Sequence, residues 1–150
     1  MDMAGIPQGF STITPNLLID GADKAIALYQ KALGASLDGR FPTPDGKKVM
    51  HAAMTIGTSK IFLGDPGPHD PRMPPGAKGS SVSLYLYVAD CDAAYKKAVA
   101  AGMTGASAPA DMFWGDRTGV VADPFGYRWV LATRMREVSE ADMKKAMENA

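Results

Sequence analysis

The sequence predicts an α+β fold made of two βαβββ modules, each a curved mixed β-sheet with one helix on its outer face. Three observations lead to this prediction. The two halves of the chain resemble each other at an offset of about 69 residues. Each half has the pattern of one strand, one helix and three further strands. A connector rich in proline and glycine separates the halves at about residues 65–80.

The first module is expected at about residues 11–65. Residues 11–20 are predicted to form a strand, and Pro15 must lie at an edge or a bulge because proline has no N–H to donate. Apolar residues at three- and four-residue spacing predict a helix over residues 21–33, and Gly34 ends it. The remaining strands are predicted at residues 36–41, 49–56 and 60–63.

The second module is expected at about residues 81–134, followed by a C-terminal helix at about 139–149. Asp90 or Asp92 caps the module's own helix, and Gly102 ends it. Strands are predicted at residues 82–88, 120–122 and 127–133, and residues 105–109 are a loop or a weak strand.

The segment at residues 113–133 is the clearest hairpin of the chain. Pro124 sets the backbone angle of the turn's second position, and Gly126 tolerates the positive φ that the turn needs. Alternation in the returning strand places Trp129 on the core side and Arg128 on the solvent side.

Composition limits the possible functions. Sixteen basic residues balance sixteen acidic ones, so no charge pattern for nucleic acid or an anionic membrane is present. No apolar run is long enough to span a membrane, and no secretory signal is visible, so a cytoplasmic location is expected. Cys91 is the only cysteine and cannot form a disulfide within the chain. Phosphate-loop, nucleophile-elbow and zinc-protease motifs are absent.

Besides the repeat, four segments are informative about the family: TPNLLIDGADKAIALYQKAL, MHAAMTIG, FWGDRTGVVADPFGYRWVLAT and VSEADMKKAM. Together they resemble the vicinal oxygen chelate superfamily, which includes glyoxalase I, bleomycin-resistance proteins and extradiol dioxygenases. Within it, the chain is most similar to the PhnB-like group. The resemblance implies the glyoxalase/bleomycin resistance fold with eight strands, a cleft, one such domain over residues 1–150, and a homodimer.

Metal-using members of this superfamily take four ligands from the first and last strand of each module. In this chain the matching positions are Thr14, Phe62, Ser83 and Val130. None of these side chains is a strong ligand for a divalent metal. We therefore expect no metal and no other cofactor, and treat these four residues as lining a ligand site.

The two histidines allow different interpretations. His51 either points into the cleft as a general base or ligand anchor, or is a structural residue in its strand. The structural interpretation is favoured, because no carboxylate, cysteine or second histidine is adjacent in sequence. His69, in the connector, is exposed unless the connector closes over the cleft as a lid.

Further candidates lie in the second module. In one interpretation, Trp114 offers a stacking face for a ligand and Arg117 binds an anionic group. In the other, Trp114 lies in the core of a dimer, and Arg117 forms an ion pair with Asp116 or with a partner chain. Tyr85 and Tyr87 share one strand face and suit an aromatic ligand, although such residues also simply pack.

These observations leave three functional hypotheses. The first is a metal-free homodimer that binds a small organic or aromatic ligand in its cleft. The second is a lyase, isomerase or dioxygenase with a non-standard site around His51. The third is a structural dimer without a ligand. Neither nucleic acid nor a membrane is an expected partner.

Overall fold

The computed structural model describes residues 5–68, 70 and 72–149. The described residues form eight strands and three helices. They divide along the chain into two compact units, one ending at Gly79 and the other beginning at Ser80, and we call these units module one and module two. Each contains one four-stranded mixed sheet, which confirms the predicted α+β fold of two βαβββ units.

Module one consists of β1 (Asn16–Leu18), α1 (Ala22–Leu33), β2 (Ser36–Pro42), β3 (Val49–Ile56) and β4 (Ser59–Gly64). Its strand order is β1-β4-β3-β2. The first strand pairs in parallel with the fourth, and the remaining pairs are antiparallel. Helix α1 contacts β2 and β3 on one face of the sheet. The buried side chains of the module include Leu17, Ile26, Tyr29, Met54 and Leu63.

Module two consists of β5 (Ser83–Tyr87), α2 (Cys91–Ala101), β6 (Thr104–Asp111), β7 (Asp116–Ala122) and β8 (Arg128–Arg134), followed by α3 (Glu140–Glu148). It repeats the topology of module one with the strand order β5-β8-β7-β6. Val121, Trp129 and Leu131 are buried on the face that carries helix α2, and the predicted core position of Trp129 is confirmed. Burying a large apolar side chain stabilises a fold by about 1.5–3 kcal/mol.

Three predicted strands differ from the observed ones. The strand predicted at residues 120–122 is longer and begins at Asp116, as β7. The strand predicted at residues 11–20 is reduced to β1, which begins just after Pro15. The Pro15 carbonyl still accepts a hydrogen bond from Phe62 N at 2.8 Å. The segment predicted as a loop or weak strand at 105–109 belongs to the full edge strand β6, whose register shifts twice and which tolerates Pro109 there.

The two module helices begin with different caps. Asp90 caps α2 locally, by accepting a hydrogen bond from Ala93 N at 3.1 Å. Helix α1 begins after Gly21, which has no side chain to cap it. Instead Asp65 Oδ1 accepts from Gly21 N and Ala22 N, and its Oδ2 accepts from Val49 N at 2.8 Å. One carboxylate beyond β4 therefore fixes the starts of both α1 and β3.

The hairpin turn of module two is organised by a buried aspartate. Asp123 Oδ1 accepts from Phe125 N at 2.9 Å and from Tyr127 N at 3.0 Å. Its Oδ2 accepts from Trp129 Nε1 at 3.1 Å. Gly126 has the positive φ, 95°, that the sequence predicts. The turn and the core tryptophan thus depend on the same carboxylate.

No helix in the described part of the chain combines the length and the apolar character that crossing a membrane requires.

Candidate functional site

Each module has one sheet face that its helix does not cover, and we call it the open face. In module two, strand pairing aligns Tyr85 with Val130 and Tyr87 with Ala132. The β7–β8 pairing aligns Asp116 with Arg134 on that same face. Residues directly paired across strands point to the same side of a sheet, so these side chains share the open face.

The open face of module two holds a polar cluster around one carboxylate. The hydroxyls of Tyr85 and Tyr87 donate to Asp116 Oδ2, at 2.7 and 3.0 Å. Trp114 Nε1 donates to the Tyr85 hydroxyl oxygen at 3.2 Å. Arg134 Nε lies 3.2 Å from Asp116 Oδ1. We call these five residues the Asp116 cluster.

Strand order and one small residue explain how the cluster forms. Tyr87 lies on β5 and Asp116 on β7, with β8 between them. The β8 residue aligned with Tyr87 is Ala132, whose methyl group leaves room for a phenol ring to cross the strand. Alternation along β7 puts Asp116 on the open face and Arg117 on the helix face.

The loop that carries Trp114 is held by the end of β8. Arg134 Nη1 donates to the Trp114 carbonyl at 2.7 Å. Met135 N donates to the Gly115 carbonyl at 2.9 Å. Gly115 has φ 103°, and a Cβ there would collide with the Arg136 carbonyl. The indole is therefore fixed beside Tyr85.

The cluster sets the charges at this face. Burial raises the pKa of Asp116, but the hydroxyl donations from Tyr85 and Tyr87 and the charge of Arg134 outweigh it, and the pKa falls below its ordinary value. Burial, followed by donation to Asp116, raises the pKa of Tyr85 to about 12. At neutral pH the carboxylate is therefore ionised and the phenols keep their protons.

One oxygen of this carboxylate is incompletely satisfied. Asp116 is only 1% exposed. Its Oδ1 has no hydrogen-bond partner among the described residues, because the nearby Arg134 N–H does not point along the oxygen's direction. Buried carboxylate oxygens are usually hydrogen-bonded, so this atom is an exception with spare acceptor capacity.

The open face of module one is aromatic rather than ionic. The His51 ring stacks on Phe41 at a centroid distance of 6.2 Å and meets the edge of Phe62 at 4.7 Å. Phe10 lies 5.6 Å from Phe62, and Lys60 Nζ lies 5.6 Å above the Phe10 ring. His51 is thus placed between rings, and its assignment as a general base stays a prediction.

Four positions in this chain match the metal ligands of other superfamily members. Phe62 is half-buried in β4, Val130 is half-buried in β8, and Ser83 is exposed at the start of β5. Thr14 precedes β1. Phenylalanine and valine have no donor atoms, so these residues do not fit a metal ion. In the described part of the chain, no three histidine, cysteine, aspartate or glutamate side chains are grouped to hold one. His69 lies outside the described residues.

Arg117 lies on the helix face of module two. Its guanidinium is bound twice to Asp92 in α2, at 2.7 and 3.0 Å, and once to Asp111 at 3.1 Å. The ion pair with Asp116 that adjacency suggests does not form, because neighbouring strand residues point to opposite faces. Sequence reasoning also missed Arg134, although its even spacing from Val130 already placed it on the open face.

Module one also contains an open cavity of about 950 Å³ between the turn at Thr43 and the connector. Several of the charged groups that line it are already engaged. Arg72 pairs with Asp70 at 2.6 Å, and Asp65 is occupied as the helix cap. The Asp116 cluster combines exposed rings with a carboxylate oxygen that accepts no hydrogen bond, and it is the stronger candidate site.

Comparison with known proteins gives a consistent result. Residues 12–131 match the family model of the Glyoxalase/Bleomycin resistance protein/Dioxygenase superfamily. An uncharacterised protein of Mycobacterium tuberculosis is 41% identical over 139 residues, which are 90% of this chain and 81% of that protein. An uncharacterised Mycobacterium bovis protein is equally similar over 91% of its length.

Solved structures agree with this fold. A gene product of Arabidopsis thaliana has a TM-score of 0.68 at 27% identity, covering 82% of this chain and 98% of its own. TioX from Micromonospora sp. ML1 has a TM-score of 0.66 at 22% identity, covering 83% and 99%. A glyoxalase/bleomycin resistance protein/dioxygenase from Nocardioides has a TM-score of 0.67 at 22% identity and 87% of each chain.

Proposed function

Because the chain belongs to the glyoxalase/bleomycin resistance protein/dioxygenase superfamily, we propose that it binds a small organic ligand on the open face of module two, without a metal ion. We also propose that, within the superfamily, it belongs to the PhnB-like group. The observation that carries the proposal is the Asp116 cluster. Its aromatic side chains surround a charged group whose position is already fixed.

The exposure of the rings supports binding rather than packing. Tyr85 is 43% exposed and Tyr87 58% exposed, although both hydroxyls are anchored. Rings that are held at one end and open on their faces lose little conformational entropy when a ligand stacks on them. Phe113, 37% exposed, extends the apolar surface beside Trp114 at a centroid distance of 5.0 Å.

Metal-free binding is supported by the chemistry of the ligand positions. Phe62 and Val130 replace side chains that would have to bind the ion, and hydrocarbon groups cannot do so. Elemental analysis of the purified protein tests this directly. Less than about 0.1 equivalent of Zn, Ni, Fe or Mn is expected. One tightly held equivalent that survives dialysis against a chelator would contradict the proposal.

The two tryptophans provide the binding assay. Trp114 lies in the cluster, whereas Trp129 is 2% exposed in the core. A ligand on the open face should therefore change Trp114 fluorescence. A panel of small aromatic compounds, such as naphthalene and indole derivatives, is titrated into the native protein and into Trp114→Phe. Saturable changes that vanish in Trp114→Phe support the proposal, and changes that persist in it contradict it.

We also propose that the protein is a homodimer. Several large apolar side chains are exposed, among them Ile13 at 82%, Val82 at 62% and Phe41 at 61%. A second copy of the chain would remove such side chains from water. Sedimentation velocity at micromolar concentration is expected to give twice the chain mass of 15.8 kDa. A single species at the monomer mass would contradict this proposal and leave the ligand site unaffected.

A further inference from the structure

We infer that the ligand of module two presents an N–H or O–H group to Asp116 Oδ1, so that the site selects hydrogen-bond donors attached to an aromatic body. This inference rests on the proposed function. It follows from which atoms of the Asp116 cluster still have unused hydrogen-bonding capacity.

The protons of the cluster's hydroxyls are already used. Tyr85 and Tyr87 both donate to Asp116 Oδ2, and each phenol has only one proton to give. The indole N–H of Trp114 is donated to Tyr85. What remains is an acceptor, the Oδ1 of Asp116, which accepts no hydrogen bond from any described residue.

Arg134 does not change this balance. Its Nε lies 3.2 Å from Oδ1 without hydrogen-bond geometry, and its Nη1 donates to the carbonyls of Trp114 and Arg136. The guanidinium charge is balanced by Asp116, so an anionic ligand gains little net attraction. Nη1 is fixed by these two hydrogen bonds, whereas Nε is held less firmly, by its ion pair with Asp116 Oδ1.

Arg134 also explains how a buried oxygen can be reached. Its side chain is 43% exposed and lies against Oδ1, whereas Asp116 is 1% exposed. A ligand donor that points along the oxygen's lone pair makes a better bond than the misdirected Nε. The ligand therefore displaces the rim of the guanidinium and completes the coordination of Asp116.

Three probes with the same ring system test the inference. 2-Naphthol carries a donor, 2-methoxynaphthalene carries only an acceptor, and 2-naphthoate is an anion. Dissociation constants are measured by titration calorimetry on the full chain. The expected result is that 2-naphthol binds about tenfold or more tightly than either of the others, because an unpaired polar group in a site discriminates strongly.

Two variants assign the preference to Asp116. In Asp116→Asn, the advantage of 2-naphthol is expected to shrink to within about threefold, since the amide supplies donors of its own. The matched control is Asp111→Asn, the same change in the same module, at a residue that pairs with Arg117 on the helix face. This control is expected to keep the full preference.

Tyr87→Phe keeps the test decisive if Asp116→Asn does not fold. It removes one donor to Asp116 and leaves the carboxylate in place, so the preference for 2-naphthol should persist or increase. Equal affinity of the native protein for 2-naphthol and 2-methoxynaphthalene would overturn the inference and leave the proposed function standing. Absence of binding by all three probes would overturn both.

Discussion

Module one and module two have the same topology but open faces of different chemistry. Module one presents stacked rings around His51, and module two presents tyrosines around the buried Asp116. Both sheets are paired and packed on a helix in the same order. The comparison teaches that the duplicated unit keeps the contacts between helix and sheet, while the face that bears no helix is free to change.

Both modules contain an ion pair between an aspartate in the first turn of the helix and an arginine of the sheet. Asp23 of α1 pairs with Arg40 at 2.7 and 2.8 Å, and Asp92 of α2 pairs with Arg117 in the same two-pronged way. The aspartates occupy matching places in the repeat. The arginines do not, because Arg40 lies on β2 and Arg117 on β7. Both modules thus have the aspartate–arginine ion pair, but the arginine comes from a different strand in each.

The largest expected difference between the modules is at their hairpin turns. Asp123→Ala leaves the N–H groups of Phe125, Tyr127 and Trp129 without their acceptor, and should cost about 3–5 kcal/mol of unfolding free energy. The exposed Thr58, in the turn of module one, should tolerate alanine within about 0.5 kcal/mol. Denaturant unfolding measures both, and similar losses for the two variants would contradict the comparison.

The helix caps should differ next. Asp65→Ala removes the acceptor of three backbone N–H groups and is expected to cost about 2–3 kcal/mol. Asp90→Ala removes one, at about 1 kcal/mol. The unfolding free energies of the two variants are compared by chemical denaturation in the same buffer. A greater loss in Asp90→Ala would show that the local cap is the more important one.

The repeated ion pairs should have smaller effects that depend on salt and pH. Arg117 lowers the pKa of Asp92, so the pair stabilises the fold above the ordinary carboxyl pKa of about 4 and is lost as pH falls through the lowered value. Asp92→Ala should therefore lower Tm slightly at pH 7, and not at all near pH 2 or in molar salt. The change in Tm caused by Asp23→Ala should depend on pH and salt in the same way. If the decrease in Tm were the same at acidic pH, the ion pair would be excluded as its cause.

The smallest expected effect is the titration of Tyr85 in module two, which is measured by absorbance. Tyr85 has a pKa raised to about 12, so its contribution to stability is present below the usual phenol value of about 10 and is lost as pH rises towards 12. The difference in absorbance at 295 nm between the native protein and Tyr85→Phe should therefore titrate near 12. A midpoint near 10 would mean that the hydroxyl is not held by the cluster.

The fold could be predicted from the sequence because its signals are local or periodic. The helix at residues 21–33 follows from its apolar spacing, and the shared face of Tyr85 and Tyr87 follows from alternation. The connector's proline and glycine content likewise marks the break between the repeats. These features need no knowledge of contacts between distant residues.

The site could be predicted only in part, because its contacts join distant strands. Tyr85 and Trp114 are candidates from the sequence alone, but their approach to Asp116 depends on β8 lying between β5 and β7. The sequence neighbours Asp116 and Arg117 suggest a pair that strand geometry forbids. The partner that Arg117 binds twice is Asp92, 25 residues earlier, and no local pattern indicates it.

The turns also determine where the chain can accept added length. Asp123 ties the backbone of its turn to the indole of Trp129, so an inserted residue there would pull on the packed interior. Gly46 lies in another turn, between β2 and β3 of module one, and a Cβ added there would meet no described atom within 4 Å. An epitope tag or fluorescent-dye attachment site belongs beside Gly46, where it would report on the protein without disturbing its folding.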